Sequence, residues 1–569
     1  MRLSAAPVLL LLALLPACTD DVNVPSPGTA ASDFGADWSG QLGAEMLEVL
    51  DESSATAWTP KSLEKWIGKT LEDGAVRSFD VEIGSVRTPE VESEEELDGL
   101  ESTVPYTVSY DSSAADEAIE FEGTLELTYQ DPEGWRISWT EANMWPGLEG
   151  AAGFVVDVEE PQRGAILDRT GKAIAKGPAE RRRYPFGSVG GSTVGHIEPV
   201  GKNDESGLER GDLVGASGLE EGLNDVLTAS SGGDLLVVDA AGETIEIVGG
   251  RPAGKPKSVK VTLDMEIQSA AENAYGSTTG GAVVMDPKTG DLLAIVSSSP
   301  FDPNNYVGVP DIDPFNRALS GTYPPGSAMK VVTASAALDT GTVKANTTVT
   351  GPGEYKGVHN FESGEFGSIP FSLATQKSVN TAFAQIAEDL GAKTMTKYAE
   401  AFGFNSEPTM PLGAATPSYP FPDNLTDLMW SAIGQAQVIT SPLQMTTVAA
   451  TVANGGERME PRILLSDPPT GERAMSPKAA RTMTELMELV VVGGTGTAAN
   501  LGSPTVAGKT GTAEVSIGGE IKNHAWFICF APSNKPKVAV AVVSELGGVG
   551  GEVAAPLARQ ILQAVLPLT

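Results

Sequence analysis

A serine hydroxyl is a weak nucleophile until a neighbouring base takes its proton. In this chain Ser327-Ala-Met-Lys330 supplies a base at fixed spacing. The segment follows Tyr323-Pro-Pro-Gly326 and leads into Val331-Val-Thr-Ala-Ser-Ala-Ala-Leu338 ahead of Gly341, which predicts a helix with a Pro/Gly-marked start and a Gly stop. Residues three apart share a helix face, so Lys330 sits over Ser327. The helix N-terminus favours negative charge on the serine oxygen, and apolar neighbours such as Val331 disfavour a charged ammonium. Both effects push Lys330 toward accepting the proton. Other catalytic arrangements fit poorly. There is no Gly-x-Ser-x-Gly elbow, and His196, His359 and His524 are too scattered for a Ser-His-Asp triad or for zinc-type spacing, so neither a metal nor a cofactor is expected.

Ser-x-x-Lys alone is a weak pattern, since Ser62-Leu-Glu-Lys65 also fits on an expected surface helix. Order along the chain discriminates. Ser378-Val-Asn380 follows Ser327 within tens of residues, and Lys509-Thr-Gly511 comes well later; a second Lys288-Thr-Gly290 precedes Ser327 and falls in a hairpin turn. Ser-x-x-Lys, Ser-x-Asn and Lys-Thr-Gly in this order resemble the penicillin-binding proteins. Ser431-Ala-Ile-Gly-Gln435 and Ile439-Thr-Ser-Pro-Leu-Gln444 are similar to further stretches of their transpeptidase domain. Arg163-Gly-Ala-Ile-Leu-Asp-Arg-Thr-Gly171 and Gly215-Ala-Ser-Gly-Leu-Glu-Glu-Gly-Leu223 look like landmarks of the linker, or dimer, domain of the class B type. Trp135-Arg-Ile-Ser-Trp139 with Trp145-Pro-Gly-Leu148 resembles the end of the NTF2-like N-terminal domain of the low-affinity, methicillin-resistance type. Glu220-Glu-Gly-Leu-Asn224 has the spacing of the deacylating glutamate of class A β-lactamases but lies before the nucleophile, so no dedicated base for a hydrolytic water is read.

The resemblance implies a D,D-transpeptidase acting on peptidoglycan stem peptides and acylated by β-lactams. By similarity, Ser327 attacks the D-Ala-D-Ala carbonyl, Lys330 takes the hydroxyl proton, Ser378 relays a proton to the leaving amine and Asn380 holds the peptide amide and Lys330. Lys509 with Thr510 and Thr512 receives the terminal carboxylate. The backbone N–H groups of Ser327 and Thr512 form the oxyanion hole, and Gly508 and Gly511 allow close approach. A second strand's amine then resolves the acyl-enzyme. Other expectations remain open: a D,D-carboxypeptidase or β-lactamase of the same fold, or a non-catalytic β-lactam-binding lipoprotein.

Several elements must position these residues. A helix is expected over Met265–Tyr275, then a hairpin of Gly281–Met285 and Asp291–Val296, late strands Trp526–Phe530 and Val538–Val543, and a closing helix Val553–Leu566. Strands at both ends with helices between predict a mixed sheet covered by helices, the serine transpeptidase and β-lactamase-like architecture. Upstream, helices over Leu42–Leu50 and Lys61–Leu71, then alternation in Tyr106–Tyr110 and Gly123–Tyr129, predict a small α+β unit. The expected domains are 1–17 signal peptide, 18–34 tether, 35–150 NTF2-like, 151–262 linker and 263–569 transpeptidase, a multidomain α+β chain. Arg163, Asp168 and Arg169 are read as a salt-bridged scaffold, and Cys529 as a buried strand residue.

At 569 residues the chain exceeds one compact core. Its 75 Asp and Glu against 38 Lys and Arg, a net charge of -37, have the wrong sign for tracking a phosphate backbone, which argues against nucleic acid. Arg2, the apolar run Ala5–Leu15 and Leu15-Pro-Ala-Cys18 resemble a lipoprotein signal peptide cleaved before Cys18, which then carries the lipid. The run is about half of the roughly 20 residues that cross a bilayer. The expectation is a lipid-anchored protein on the extracytoplasmic face of the cell membrane. Class B relatives generally use a transmembrane helix that also docks a glycan polymerase partner, and lipidation at Cys18 departs from that pattern.

Overall fold

The computed structural model describes residues 22–150, 152–159, 162–200, 212–305 and 315–569. Cys18 and the expected signal peptide lie outside them. Among the described residues no helix is long and apolar enough to cross a membrane.

The described residues form two compact units, one within 22–161 and 230–254, the other within 162–229 and 255–569. In the first, α1 (Pro27–Ser39) begins where a tether was expected: Pro27 occupies the first helical turn and the Ser26 side chain accepts from Thr29 N–H. The prolines around Ser26 thus start a helix rather than interrupt a coil. In α2 (Pro60–Asp73) Leu63, Ile67, Thr70 and Leu71 form the buried stripe, with Thr59 as cap. Strands β1 (Val76–Ile83), β2 (Glu101–Ser112), β3 (Ile119–Gln130) and β4 (Gly134–Ser138) pair in sequence order. Period-two alternation buries Val104, Tyr106, Val108 and Tyr110 of β2 on one face. Trp38 meets Trp139 edge-on at 5.8 Å in this core. Rings of this size bury about 150–250 Å² each, so removing one such tryptophan would destabilise the unit by about 3–5 kcal/mol.

A separate sheet, in the order β7-β6-β5, is made of β5 (Gly153–Glu159), β6 (Gly232–Val238) and β7 (Thr244–Arg251). Phe154, Leu235 and Val237 join the core of the first unit. The span 151–262, expected as one linker domain, is therefore shared between the two units.

In the second unit, α3 (Met265–Tyr275) precedes the sheet that carries the site. Its strands are β8 (Gly280–Met285), β9 (Leu292–Ser297), β10 (Ala507–Ile517), β11 (Glu520–Ala531) and β12 (Val538–Ser544), ordered β9-β8-β12-β11-β10. Every pairing is antiparallel, so this sheet, expected as mixed, alternates in direction throughout. Strands β8, β9 and β12 are buried along their whole length, because helices cover both faces. Cys529, fully buried in β11, has its thiol pushed up by burial. Helices α4 (Lys330–Thr340) and α5 (Asn380–Leu390) lie on one side, and α6 (Ala554–Val565) closes the chain on the other with α3.

Arg163 does not pair with Asp168. Its Nε donates to Glu220 at 2.8 Å, Arg182 Nε donates to the other Glu220 oxygen at 2.7 Å, and all three side chains are buried. Asp168 instead accepts from Thr170 and Lys172 N–H in its own turn, and Arg169 reaches Asp291 at 3.8 Å.

Candidate active site

The segment that carries Ser327 is fastened from three sides. Tyr323 and Thr440 exchange backbone hydrogen bonds at 2.8 and 2.9 Å, Gly326 N–H donates to the Gly434 carbonyl at 2.9 Å, and Trp526 Nε1 donates to the Pro324 carbonyl at 3.0 Å. Gly326 has a φ of 53°, and a side chain there would approach the Thr512 carbonyl to 2.4 Å. Only glycine meets both conditions, so the backbone beside Ser327 packs directly on β10.

Ser327 sits in a 3-10 turn, Gly326–Met329, and α4 begins at Lys330. The expected helix thus starts one tight turn late. The three-residue spacing still brings Lys330 Nζ to 3.1 Å from Ser327 Oγ, since a 3-10 turn eclipses residues i and i+3. Val331, Val332, Ala334, Ala336 and Ala337 are all buried, so α4 is a core helix and takes Lys330 into the interior with it.

The fully buried Lys330 ammonium donates to neutral oxygens: Ser378 O at 2.8 Å, Ser378 Oγ at 3.1 Å and Asn380 Oδ1 at 2.5 Å. Ser378 holds a left-handed φ of 57°, which for a serine costs about 1–2 kcal/mol and turns its carbonyl toward the lysine. Asn380 opens α5 and is oriented by its own donation to the His359 carbonyl at 2.9 Å. Lys509, also fully buried, donates to Ser378 Oγ at 2.9 Å. Burial lowers the Lys330 pKa far below the ordinary lysine range, and the Lys509 charge lowers it further. Burial brings Lys509 to about 7. The physical reason is shared: ammonium groups out of water with no negative partner favour the neutral form. Lys330 yields its proton first because Lys509 acts on it in addition.

Thr510 and Thr512 face the same cavity of about 620 Å³, which Ser327, Ser378 and Asn380 also line. Thr512 Oγ1 accepts from Gly550 N–H at 3.1 Å, leaving its hydroxyl proton to point elsewhere. Thr510 Oγ1 lies 2.6 Å from Thr495 Oγ1. Gly511 packs so closely on the Pro325 carbonyl that a side chain would come within 2.6 Å. Thr495 and Gly550 were not singled out in the sequence; Gly493-Gly-Thr-Gly-Thr497, a Gly/Thr stretch after a long helix, was the available signal. The two decoys stand apart in the structure: Ser62 and Lys65 are exposed on α2, and Lys288 is exposed in the turn before β9. Glu220 belongs to the arginine pair and is fully buried.

Comparison with known proteins gives the geometry its relatives. The penicillin binding protein transpeptidase domain matches residues 280–563, the penicillin-binding protein dimerisation domain 176–260 and the NTF2-like N-terminal transpeptidase domain 26–152. The peptidoglycan D,D-transpeptidase PbpA of Mycobacterium tuberculosis is 37% identical over 360 residues, covering 54% of this chain and 72% of its own. MrdA of Acinetobacter baumannii, another peptidoglycan D,D-transpeptidase, is 28% identical over 438 residues, 67% of this chain and 65% of its own. Among solved structures, PBPA from Mycobacterium tuberculosis superposes with a TM-score of 0.59 at 31% identity, covering 71% of this chain and 98% of that one. Pseudomonas aeruginosa PBP2 in complex with WCK 5153 does so at 0.63 and 28%, covering 72% and 96%. With a serine and a charge-poor lysine at the heart of a matched transpeptidase domain, the chain belongs to the class B penicillin-binding proteins.

Proposed function

We propose that the protein is a serine-type peptidoglycan D,D-transpeptidase. It cross-links stem peptides through an acyl-enzyme on Ser327 and is acylated at the same atom by β-lactams. The observation that carries the reading is the 3.1 Å contact between Ser327 Oγ and a fully buried Lys330 whose pKa is far below the ordinary lysine value. Neutral Lys330 takes the serine proton as Oγ attacks the carbonyl carbon of the penultimate D-Ala. Negative charge develops on the carbonyl oxygen, where the Ser327 and Thr512 N–H groups receive it. Ser378 Oγ, within reach of both lysines, passes a proton to the departing D-Ala amine. Lys509, with the hydroxyls of Thr510 and Thr512, anchors the terminal carboxylate. The amine of a second strand then displaces Ser327 Oγ.

The intact mass of the soluble chain after incubation with benzylpenicillin, for the parent and Ser327→Ala, tests this assignment. A stable adduct on the parent alone is expected. An adduct on Ser327→Ala would move the nucleophile elsewhere, and rapid drug hydrolysis without an adduct would make the protein a β-lactamase. The finer placement is an extracytoplasmic enzyme lipidated at Cys18, supported by Leu15-Pro-Ala-Cys18. Fatty-acid labelling that persists in Cys18→Ala would remove the anchor.

A further inference from the structure

The catalytic cavity has two chemically opposite ends along β10. Thr510, Thr512 and Glu514 all line it, as residues two apart on one strand must if they share a face. At the Thr510 end sits Lys509, suited to a carboxylate. At the other end, Glu514 lies about 7 Å past Thr512 by strand rise, and its carboxylate has no ion pair or hydrogen bond among the described residues. Directly across the β10–β11 pairing is Asn523, also in the cavity wall, whose Oδ1 is buried without a hydrogen-bond partner. The nearest strand cation, Lys522, is its neighbour in sequence and so points to the opposite face, where it lies 3.7 Å from Glu520. This end of the wall therefore presents a carboxylate beside an unsatisfied amide oxygen.

We infer that Glu514, with Asn523 beside it, binds the side-chain ammonium of a stem peptide and positions the acceptor amine for attack on the Ser327 acyl-enzyme. The inference rests on the transpeptidase reading above and adds the recognition of the second substrate to it. Cross-linking consumes an ammonium: the ester bond to Ser327 Oγ breaks, a carbon–nitrogen amide bond forms, one amine proton goes to Oγ and a second to water. An exposed carboxylate in the wall holds that ammonium near the ester while leaving its proton a path to solvent. The same chemistry would suit a side-chain ammonium on the donor strand, so the test separates the two sources.

The donor is a synthetic stem pentapeptide ending in D-Ala-D-Ala with its side-chain amine acetylated. The acceptor is a stem tripeptide with that amine free. The readout is the ratio of cross-linked to hydrolysed product at limiting acceptor, for the parent, Glu514→Gln and Glu514→Lys. A partly exposed ion pair predicts a fall of about fivefold in the ratio for Glu514→Gln and a larger fall for Glu514→Lys. Penicillin adduct formation by the variants shows that the cavity is assembled. A ratio equal to the parent's in both variants, with D-Ala still released, overturns the Glu514 assignment alone; a parent that releases no D-Ala takes the transpeptidase reading down with it. If the ratio holds but Glu514→Gln slows D-Ala release from a free-amine donor and not from the acetylated one, the ammonium recognised is the donor's and the assignment to the acceptor is overturned.

Discussion

Two places in the second unit each bury two cations around one shared oxygen-bearing side chain, and they behave in opposite ways. At the linker, Arg163 and Arg182 close on Glu220, a carboxylate with both oxygens occupied at 2.8 and 2.7 Å. At the proposed catalytic centre, Lys330 and Lys509 close on Ser378 Oγ at 3.1 and 2.9 Å, a neutral hydroxyl. Guanidinium groups stay charged and need a counter-charge once buried, so the first cluster is a rigid strut. Ammonium groups with only neutral acceptors can discharge, which suits the second to the proton transfer proposed for it. What separates the strut from the catalyst is one carboxylate.

The comparison breaks most severely if Glu220 is removed. Glu220→Ala would strand two buried guanidinium groups, and a loss of about 3–5 kcal/mol is expected in thermal or urea unfolding of the second unit. An unchanged midpoint would mean that the arginines are compensated by their other acceptors alone, among them Asn224 Oδ1 and Thr228 Oγ1 for Arg163 and the Gly164 and Gly177 carbonyls for Arg182.

The converse change installs the missing carboxylate in the catalyst. Asn380→Asp would place a negative oxygen where Asn380 Oδ1 now sits, 2.5 Å from Lys330 Nζ. That raises the Lys330 pKa and keeps its proton in place, so penicillin acylation at neutral pH should slow by about 10²–10⁴-fold, the usual worth of a general base, with the fold retained. Acylation at the parent rate would show that Lys330 need not be neutral.

A pH series sharpens the same point in the parent. Acylation should rise with pH as Lys330, the more depressed lysine, becomes neutral. It should fall again as pH passes about 7, where Lys509 loses the charge that receives the carboxylate. Lys509→Arg keeps that charge at all accessible pH, so its profile should lose the falling limb. A falling limb that survives the substitution would assign it to another group.

The catalytic cluster was far more legible in the sequence than the strut. Ser327, Lys330, Ser378, Asn380 and Lys509 announce themselves through three short motifs in a fixed order, and each motif keeps its own residues together. The strut joins Arg163 to a residue 57 positions away. Glu220 was visible only as a coincidence of spacing, and Asp168, nearer in sequence, was the natural partner to expect. The same range limit hid the assignment of β5, β6 and β7 to the first unit: alternation indicates a strand but not which core its inner face joins. Helix periodicity likewise does not report the tight turn that precedes α4, because Gly326 is set by the Thr512 carbonyl, far along the chain.

The smallest expected effect concerns Thr495, which the motifs do not mark. Its hydroxyl lies 2.6 Å from that of Thr510, itself nearly buried. Removing one partner of a buried pair leaves the other unsatisfied, a loss of about 1–3 kcal/mol where water cannot replace it. Here the cavity admits water, so the lower end applies. Thr495→Val keeps the shape and deletes the oxygen. Its predicted signature is a weaker hold on the terminal carboxylate: a KM for the stem pentapeptide raised about fivefold, with kcat for D-Ala release held. Thr495→Ser keeps the hydroxyl and should restore the parent KM. A fall in kcat instead would place Thr495 in the positioning of the reacting carbonyl, on the side of the lysine cluster and not of the carboxylate anchor.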